Sequence, residues 1–224
     1  MHRHILALVL AAAGITWLPA SAATGGADFG TQQVSPATRH VADWAVHAGD
    51  PAGLPFAVVD KLNARVHVFD AAGRLQGSAP ALLGSAPGDD SVPGIGQRKL
   101  SAIRPAERTT PAGRFAAALD KSLQGDDILW VDYDAGLALH RVITTVPAER
   151  RLQRLASRDA AQRRITYGCI NVPVAFFDQV VAPAFRRHGG VVYVLPETRP
   201  PGAVFGSYEL PRSAAAELAK GDPE

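Results

Sequence analysis

The chain has 224 residues, 47% hydrophobic and 20% charged, with 23 Lys and Arg against 21 Asp and Glu for a formal charge of +2. That is the composition of a globular protein large enough for one sizeable core. With no run of Lys and Arg interleaved with aromatics, it excludes a nucleic-acid-binding surface, and its single cysteine excludes a disulfide scaffold or a cysteine-ligated metal.

The N-terminus reads as an export signal. His2, Arg3 and His4 make a basic start, residues 5–13 an apolar stretch, and Ala20, Ser21 and Ala22 a small-residue cleavage site. The apolar run breaks at Gly14 and Pro19, short of the ~20 residues that span a bilayer, so no transmembrane anchor is expected. The expected division is a signal peptide over 1–22, a helical extension and linker over 23–52, one catalytic domain over 53–196 and a loose tail over 197–224, with a short helix at 213–220. The 21 Gly and 17 Pro favour a turn-rich fold, mostly β (α+β), over a helical bundle.

Ser35 and Pro36 fit the N-cap and first position of a helix whose Val41, Trp44, Ala45 and Ala48 share a face and whose end is set by Gly49. Strands follow at 56–59 and 65–69, with His67 expected on the solvent face between Val66 and Val68, and a turn at 70–73. Residues 84–104 are rich in Gly, Pro and Asp and read as a long surface loop. A turn at 109–113 precedes Arg114 and Phe115, and strands at 128–133 and 137–142 flank Asp134, Ala135 and Gly136 as a hairpin. Ala138 and His140 share one face of its second strand.

Residues 148–164 carry six arginines and read as a basic helical insert, with Leu152 and Leu155 along one side. Pro173 opens a further helix containing Phe176, Phe177, Val180 and Val181, which Pro183 is expected to bend or end. A buried strand at 191–195 completes the pattern.

Cys169, the lone cysteine, follows Gly168 and lies just before the helix opened by Pro173. Backbone N–H groups and a positive helix end beside the sulfur would favour a thiolate, and the same N–H groups could cradle an oxyanion. An unshifted thiol is only about three per cent ionised at neutral pH. The competing reading is an inert buried thiol. Of the histidines beyond the signal, His40 and His47 ride the first helix and His188 sits at a helix end, leaving His140 as either a core histidine or a catalytic base.

His140, followed by Thr166-Tyr167-Gly168-Cys169-Ile170-Asn171, resembles the signature of the L,D-transpeptidase (YkuD-type) family, a histidine followed by [S/T]-H-G-C-hydrophobic-[N/R], in the form that continues G-C-I-N-V-P. Val58-Val59-Asp60, Gly84 and Thr110-Pro111-Ala112-Gly113-Arg114-Phe115 resemble its upstream features. The resemblance implies a curved β-sheet or sandwich with a few helices. It implies a periplasmic enzyme whose cysteine attacks a peptidoglycan stem peptide, forms a thioacyl-enzyme and passes the acyl group to an amine, with a wall-linked protein as a further acceptor and with no cofactor. By the same resemblance Cys169 is the nucleophile, His140 the base and the Arg141 carbonyl its orienter. The amides of Tyr167, Gly168 and Cys169 are the oxyanion donors, and Tyr167, Thr166, Asn171 and Arg164 are substrate-binding.

Two departures stand out: Tyr167 replaces the motif histidine, and the basic insert lengthens the path from His140 to Cys169. The insert's arginines are either a solvated face or a clamp for stem carboxylates. A hydrolytic variant and a non-catalytic wall-binding protein remain as alternatives.

Overall fold

The computed structural model describes residues 25–210. The signal-peptide and C-terminal-helix expectations, over 1–22 and 213–220, lie outside the described residues. Strands β1 (Phe56–Asp60), β2 (Arg65–Phe69), β3 (Leu75–Pro80), β5 (Gly113–Lys121), β6 (Asp127–Asp132), β7 (Leu137–Arg141), β9 (Ile170–Val172) and β10 (Gly190–Val194) form one eight-stranded curved sheet in the order β3-β2-β1-β10-β5-β6-β7-β9. A two-stranded sheet joins β4 (Leu83–Gly84) to β8 (Arg164–Thr166). β1 runs parallel to β10 and β7 parallel to β9, while the other neighbours in the large sheet are antiparallel. The architecture is mostly β with a few helices, as expected.

The centre of the sheet is buried on both faces. Phe56, Val58, Phe69, Val191 and Tyr193 pack toward α1 (Pro36–Ala48), and the alternate residues Ala57, Val59, Val66, Val68, Val192 and Val194 pack against Phe177, Val181 and Phe185. Strands covered on both sides read as continuous apolar runs. His67 is therefore 1% exposed, not solvent-facing, since it pairs with Val58 on the α1 side and sits within bonding distance of Ser78 Oγ (2.7 Å).

α1 has the expected caps: Ser35 Oγ accepts from the Thr38 amide and Gly49 adopts the left-handed conformation. Ser35 Oγ also donates to Asp60 Oδ2 at 2.6 Å, tying the cap to the end of β1. Val41, Ala42, Trp44 and Ala45 are buried, whereas Ala48 is exposed. The helix thus completes a core of the sheet it packs on.

The described part of the tail, 197–210, is not loose. Lys61 and Asp89 form a fully buried pair at 2.7 Å, Asp89 accepts the amides of Glu197 and Thr198, and Glu197 pairs with Arg164. Phe205 of α5 (Pro201–Phe205) packs edge-on against Tyr193. Long-range polar contacts, invisible to local composition, fix this segment.

The basic insert holds only a six-residue helix, α2 (Arg151–Ala156), between short 3-10 turns. Leu155 is buried but Leu152 is 58% exposed, so the two do not share an inner face. Pro183 does not end the helix after Pro173. α3 (Val174–Phe176) widens into a π-helical stretch (Phe177–Val181) and continues as α4 (Ala182–Phe185). The Ala182 amide reaches back to the Phe177 carbonyl, and this wider turn lets the chain carry a proline that has no N–H to give.

Candidate active site

The site begins with a strand pairing. β7 and β9 run side by side in parallel, with Leu139 opposite Ile170 and His140 opposite Asn171. Side chains two residues apart share a face. Cys169, two residues before Asn171, is thereby diagonal to His140, a separation of roughly 7–8 Å between backbones that long side chains can bridge.

The two side chains share a cleft but each bonds elsewhere. His140 Nδ1 lies 2.7 Å from the Arg141 carbonyl, as the resemblance implies, and His140 Nε2 lies 3.1 Å from Asn171 Nδ2. The Cys169 thiol donates to the Gly136 carbonyl at 3.6 Å. Burial holds the imidazole below its ordinary pKa, with the Arg141 carbonyl opposing and the Arg151 charge adding to the shift. Burial also pushes the Cys169 thiol up, against the pull of the Ala138 and Cys169 amides and of Arg151. The net shift runs opposite to the one that the expected helix end and amides would give. The sulfur is largely desolvated, and β9 stands between the cysteine and the helix whose positive end was expected to face it.

The cysteine loop is braced by two threonine hydroxyls. Thr166 Oγ1 donates to the Cys169 carbonyl at 2.7 Å and accepts from the Gly168 amide at 3.2 Å. Thr110 Oγ1 donates to the Gly168 carbonyl at 2.6 Å and accepts from the Gly84 amide at 2.9 Å. A Cβ on Gly84 would collide with the Arg108 carbonyl and the Thr110 amide, and Gly168 has φ +141, where an L side chain is strained. Gly84, Thr110 and Gly168, far apart in the chain, thus meet around one buried hydroxyl.

Two cavities open on the sulfur. The larger, about 460 Å³, is lined by His140, Trp130, Asp126, Ile143 and Val174 together with Cys169. The smaller, about 90 Å³, lies between the cysteine loop and the 84–112 loop, with Tyr167, Arg98 and Ile103 on its walls. The Arg108 guanidinium sits 4.1 Å from the Tyr167 ring centre, so the residue that departs from the motif is held as a cation–π partner.

Cys169, His140 and Tyr167 therefore stand at the cleft, with the Arg141 carbonyl behind the ring. Three other residues expected at the site lie away from the two cavities. Thr166 is buried and braces the loop without lining either cavity. Asn171, 1% exposed, bonds His140 and Arg151 rather than facing a ligand. Arg164 pairs with Glu197 and lines neither cavity. The Gly168 amide is engaged by Thr166, which leaves the Tyr167 and Cys169 amides from the expected oxyanion set. Three more of the insert's six arginines bond within the protein: Arg151 to Glu149 and Asn171, Arg154 to the Glu149 and Gln162 carbonyls, and Arg163 to the Asn63 and Ala64 carbonyls. Arg150 and Arg158 are exposed, as on a solvated face.

Trp130 was missed at the sequence level. The β6–β7 pairing carries a bulge, so that Trp130 opposes Ala138 while Asp132 opposes Leu137. Counting evenly back from the turn would set Trp130 opposite Leu139, on the other face. The one-residue shift moves the indole onto the face of His140. Its Nε1, shielded from solvent, has no hydrogen-bond partner among the described residues.

No family model matches the chain, and no curated protein matches it. Among solved structures, the chain is similar to the catalytic domain of an L,D-transpeptidase from E. faecium, with TM-score 0.37 and 16% identity over 62% of this chain and 95% of that one. It is also similar to the L,D-transpeptidase LdtMt1 in complex with imipenem, with TM-score 0.32 and 15% identity over 63% of this chain and 58% of that one. Among the described residues, no helix is long and apolar enough to cross a membrane, and no group of three or more His, Cys, Asp or Glu side chains could hold a metal ion.

Proposed function

We propose that the protein is a cysteine-dependent acyltransferase of the L,D-transpeptidase type, acting in the periplasm on peptidoglycan stem peptides. One observation carries this reading: a lone thiol just ahead of one strand and a histidine on the parallel strand beside it, its far nitrogen oriented by a backbone carbonyl, line a shared cavity. That arrangement supplies a nucleophile, a base and an orienter for the base.

In the proposed reaction His140 Nε2 takes the Cys169 proton as Sγ attacks the stem amide carbon. The amides of Tyr167 and Cys169 receive the oxyanion, and His140 returns the proton to the leaving amine as the C–N bond breaks. The thioester then passes its acyl group to an acceptor amine, which gives its proton to His140, and the thiol is regenerated. A thiol whose pKa is raised by desolvation suits a site that ionises its sulfur only when substrate displaces water and brings the base into contact.

A carbapenem is the test reagent, because the proposed thiol would open its lactam to a stable thioester. Intact-mass measurement of the full chain should show one covalent adduct, absent in Cys169→Ala. Digestion of purified sacculi should then show products that depend on Cys169. A protein that forms no adduct and leaves sacculi unchanged would defeat the reading, and products carrying only water at the cleaved bond would establish the hydrolytic variant instead.

A further inference from the structure

Glu149, Arg151, Asn171, His140 and the Arg141 carbonyl form an unbroken line of hydrogen bonds from the basic segment into the cleft. Arg151 Nε donates to Glu149 Oε2 at 2.6 Å and Arg151 Nη1 to Asn171 Oδ1 at 2.7 Å. Asn171 Nδ2 then meets His140 Nε2 at 3.1 Å, and His140 Nδ1 meets the Arg141 carbonyl at 2.7 Å.

The direction of every bond follows from donor and acceptor chemistry. A guanidinium only donates, so Asn171 must turn its oxygen to Arg151 and its NH₂ to the imidazole. A backbone carbonyl only accepts, so Nδ1 carries the ring hydrogen and Nε2 the lone pair. One neutral tautomer satisfies the line. The nitrogen that would take the Cys169 proton is thereby occupied, and the thiol turns to the Gly136 carbonyl.

We propose that Arg151 is a positioning residue that sets the resting state of the pair: by holding Asn171 Oδ1 it keeps the Asn171 N–H on His140 Nε2, so the thiol stays unprimed until substrate draws that amide away. The inference rests on reading Cys169 and His140 as nucleophile and base. Asn171 is 1% exposed and the Arg151 side chain 15%, so the contact is shielded from bulk water, where one hydrogen bond decides an orientation. The charged and titratable groups around the ring are Arg151 of α2, Asp126 and Asp127 before and in β6, Arg141 on its own strand, and Cys169. Arg151 is the one among them that reaches the ring through a second side chain.

The test uses the full chain with Arg151→Met, Arg151→Lys and Asn171→Ala. Nitrogen-15 shifts of the His140 ring report its tautomer, and the iodoacetamide alkylation rate of Cys169 across pH reports thiol priming. In the parent the ring should show hydrogen on Nδ1 and an accepting Nε2. Arg151→Met should mix the tautomers, and both it and Asn171→Ala should raise the alkylation rate at neutral pH by roughly fivefold, the size of one hydrogen bond. Arg151→Lys, which keeps a cationic donor, should stay within about twofold of the parent by the same measure. Should Arg151→Met fail to fold, Asn171→Ala against Arg151→Lys carries the comparison. Unchanged ring shifts with alkylation within twofold of the parent, or slower alkylation in Asn171→Ala, would overturn the proposal. Neither readout needs peptidoglycan. A normal Arg151 effect in a protein that leaves sacculi intact would defeat the functional reading alone, while a carbapenem-acylated protein indifferent to Arg151 would defeat this one alone.

Discussion

His67 and His140 lie toward opposite ends of the same sheet, both on strands and both desolvated. Burial holds the His67 pKa down to about 4, with the Arg65 charge adding to it, and burial likewise lowers that of His140. Each ring has its Nδ1 at 2.7 Å from an oxygen, Ser78 Oγ for His67 and the Arg141 carbonyl for His140. The surroundings separate them. His67 is sealed on the sheet face that α1 covers, whereas His140 opens on a cavity of about 460 Å³ that also reaches a thiol. A depressed basicity therefore marks burial, and only access and a reacting partner make it a candidate site.

Substituting each ring by glutamine should break the symmetry most visibly. His140→Gln should slow carbapenem acylation by about 10²- to 10⁴-fold, the range for loss of a general base, with little change in the unfolding midpoint. His67→Gln should leave acylation within about threefold and cost about 1–3 kcal/mol in denaturant unfolding. Comparable losses of acylation in both would erase the distinction.

The pH dependence of stability sharpens it next. His67 folds with a pKa of about 4, below the ordinary value of 6.5, so the unfolded chain binds the extra proton first as pH falls. Its contribution should be complete above about pH 6.5 and decline as pH drops toward 4, by about 3 kcal/mol at most. Unfolding of the parent and of His67→Gln between pH 7 and pH 4 should show a shallower decline in the variant, and parallel curves would show that His67 is not the titrating group.

The hydroxyls beside the two regions should differ as well. Thr110→Val removes the hydrogen bond accepted from the Gly84 amide and the one donated to the Gly168 carbonyl of the cysteine loop, and should cost about 2 kcal/mol with a clear drop in acylation rate. Ser78→Ala, which takes only the partner of His67, should cost about 1 kcal/mol and leave acylation unchanged. Thermal unfolding and intact-mass time courses measure both.

Local signals brought much of this within reach of the sequence. Ser35, Pro36 and Gly49 bound α1, and the hairpin around Asp134–Gly136, the final strand and the Gly168-Cys169 turn are specified by nearby residues. The pairing of His140 with the cysteine loop was legible only through resemblance, since no periodicity brings residue 140 beside 171. The face of Trp130 could not be read by even counting because a bulge breaks strand alternation, and His67 was misplaced because alternation cannot reveal that the second face is covered too.

By itself the sequence determined the elements, their caps and the chemical types at the centre: one thiol, a strand-end histidine and the glycines that let backbones approach. Tertiary structure alone decided which groups those side chains answer to. It gave Nε2 to Asn171, the thiol to Gly136 and the inner arginines to carbonyls and carboxylates. Caps and turns are settled within a few residues of chain, but donor and acceptor assignments in a buried cleft depend on segments up to a hundred residues apart, and on which face each strand's register turns toward them.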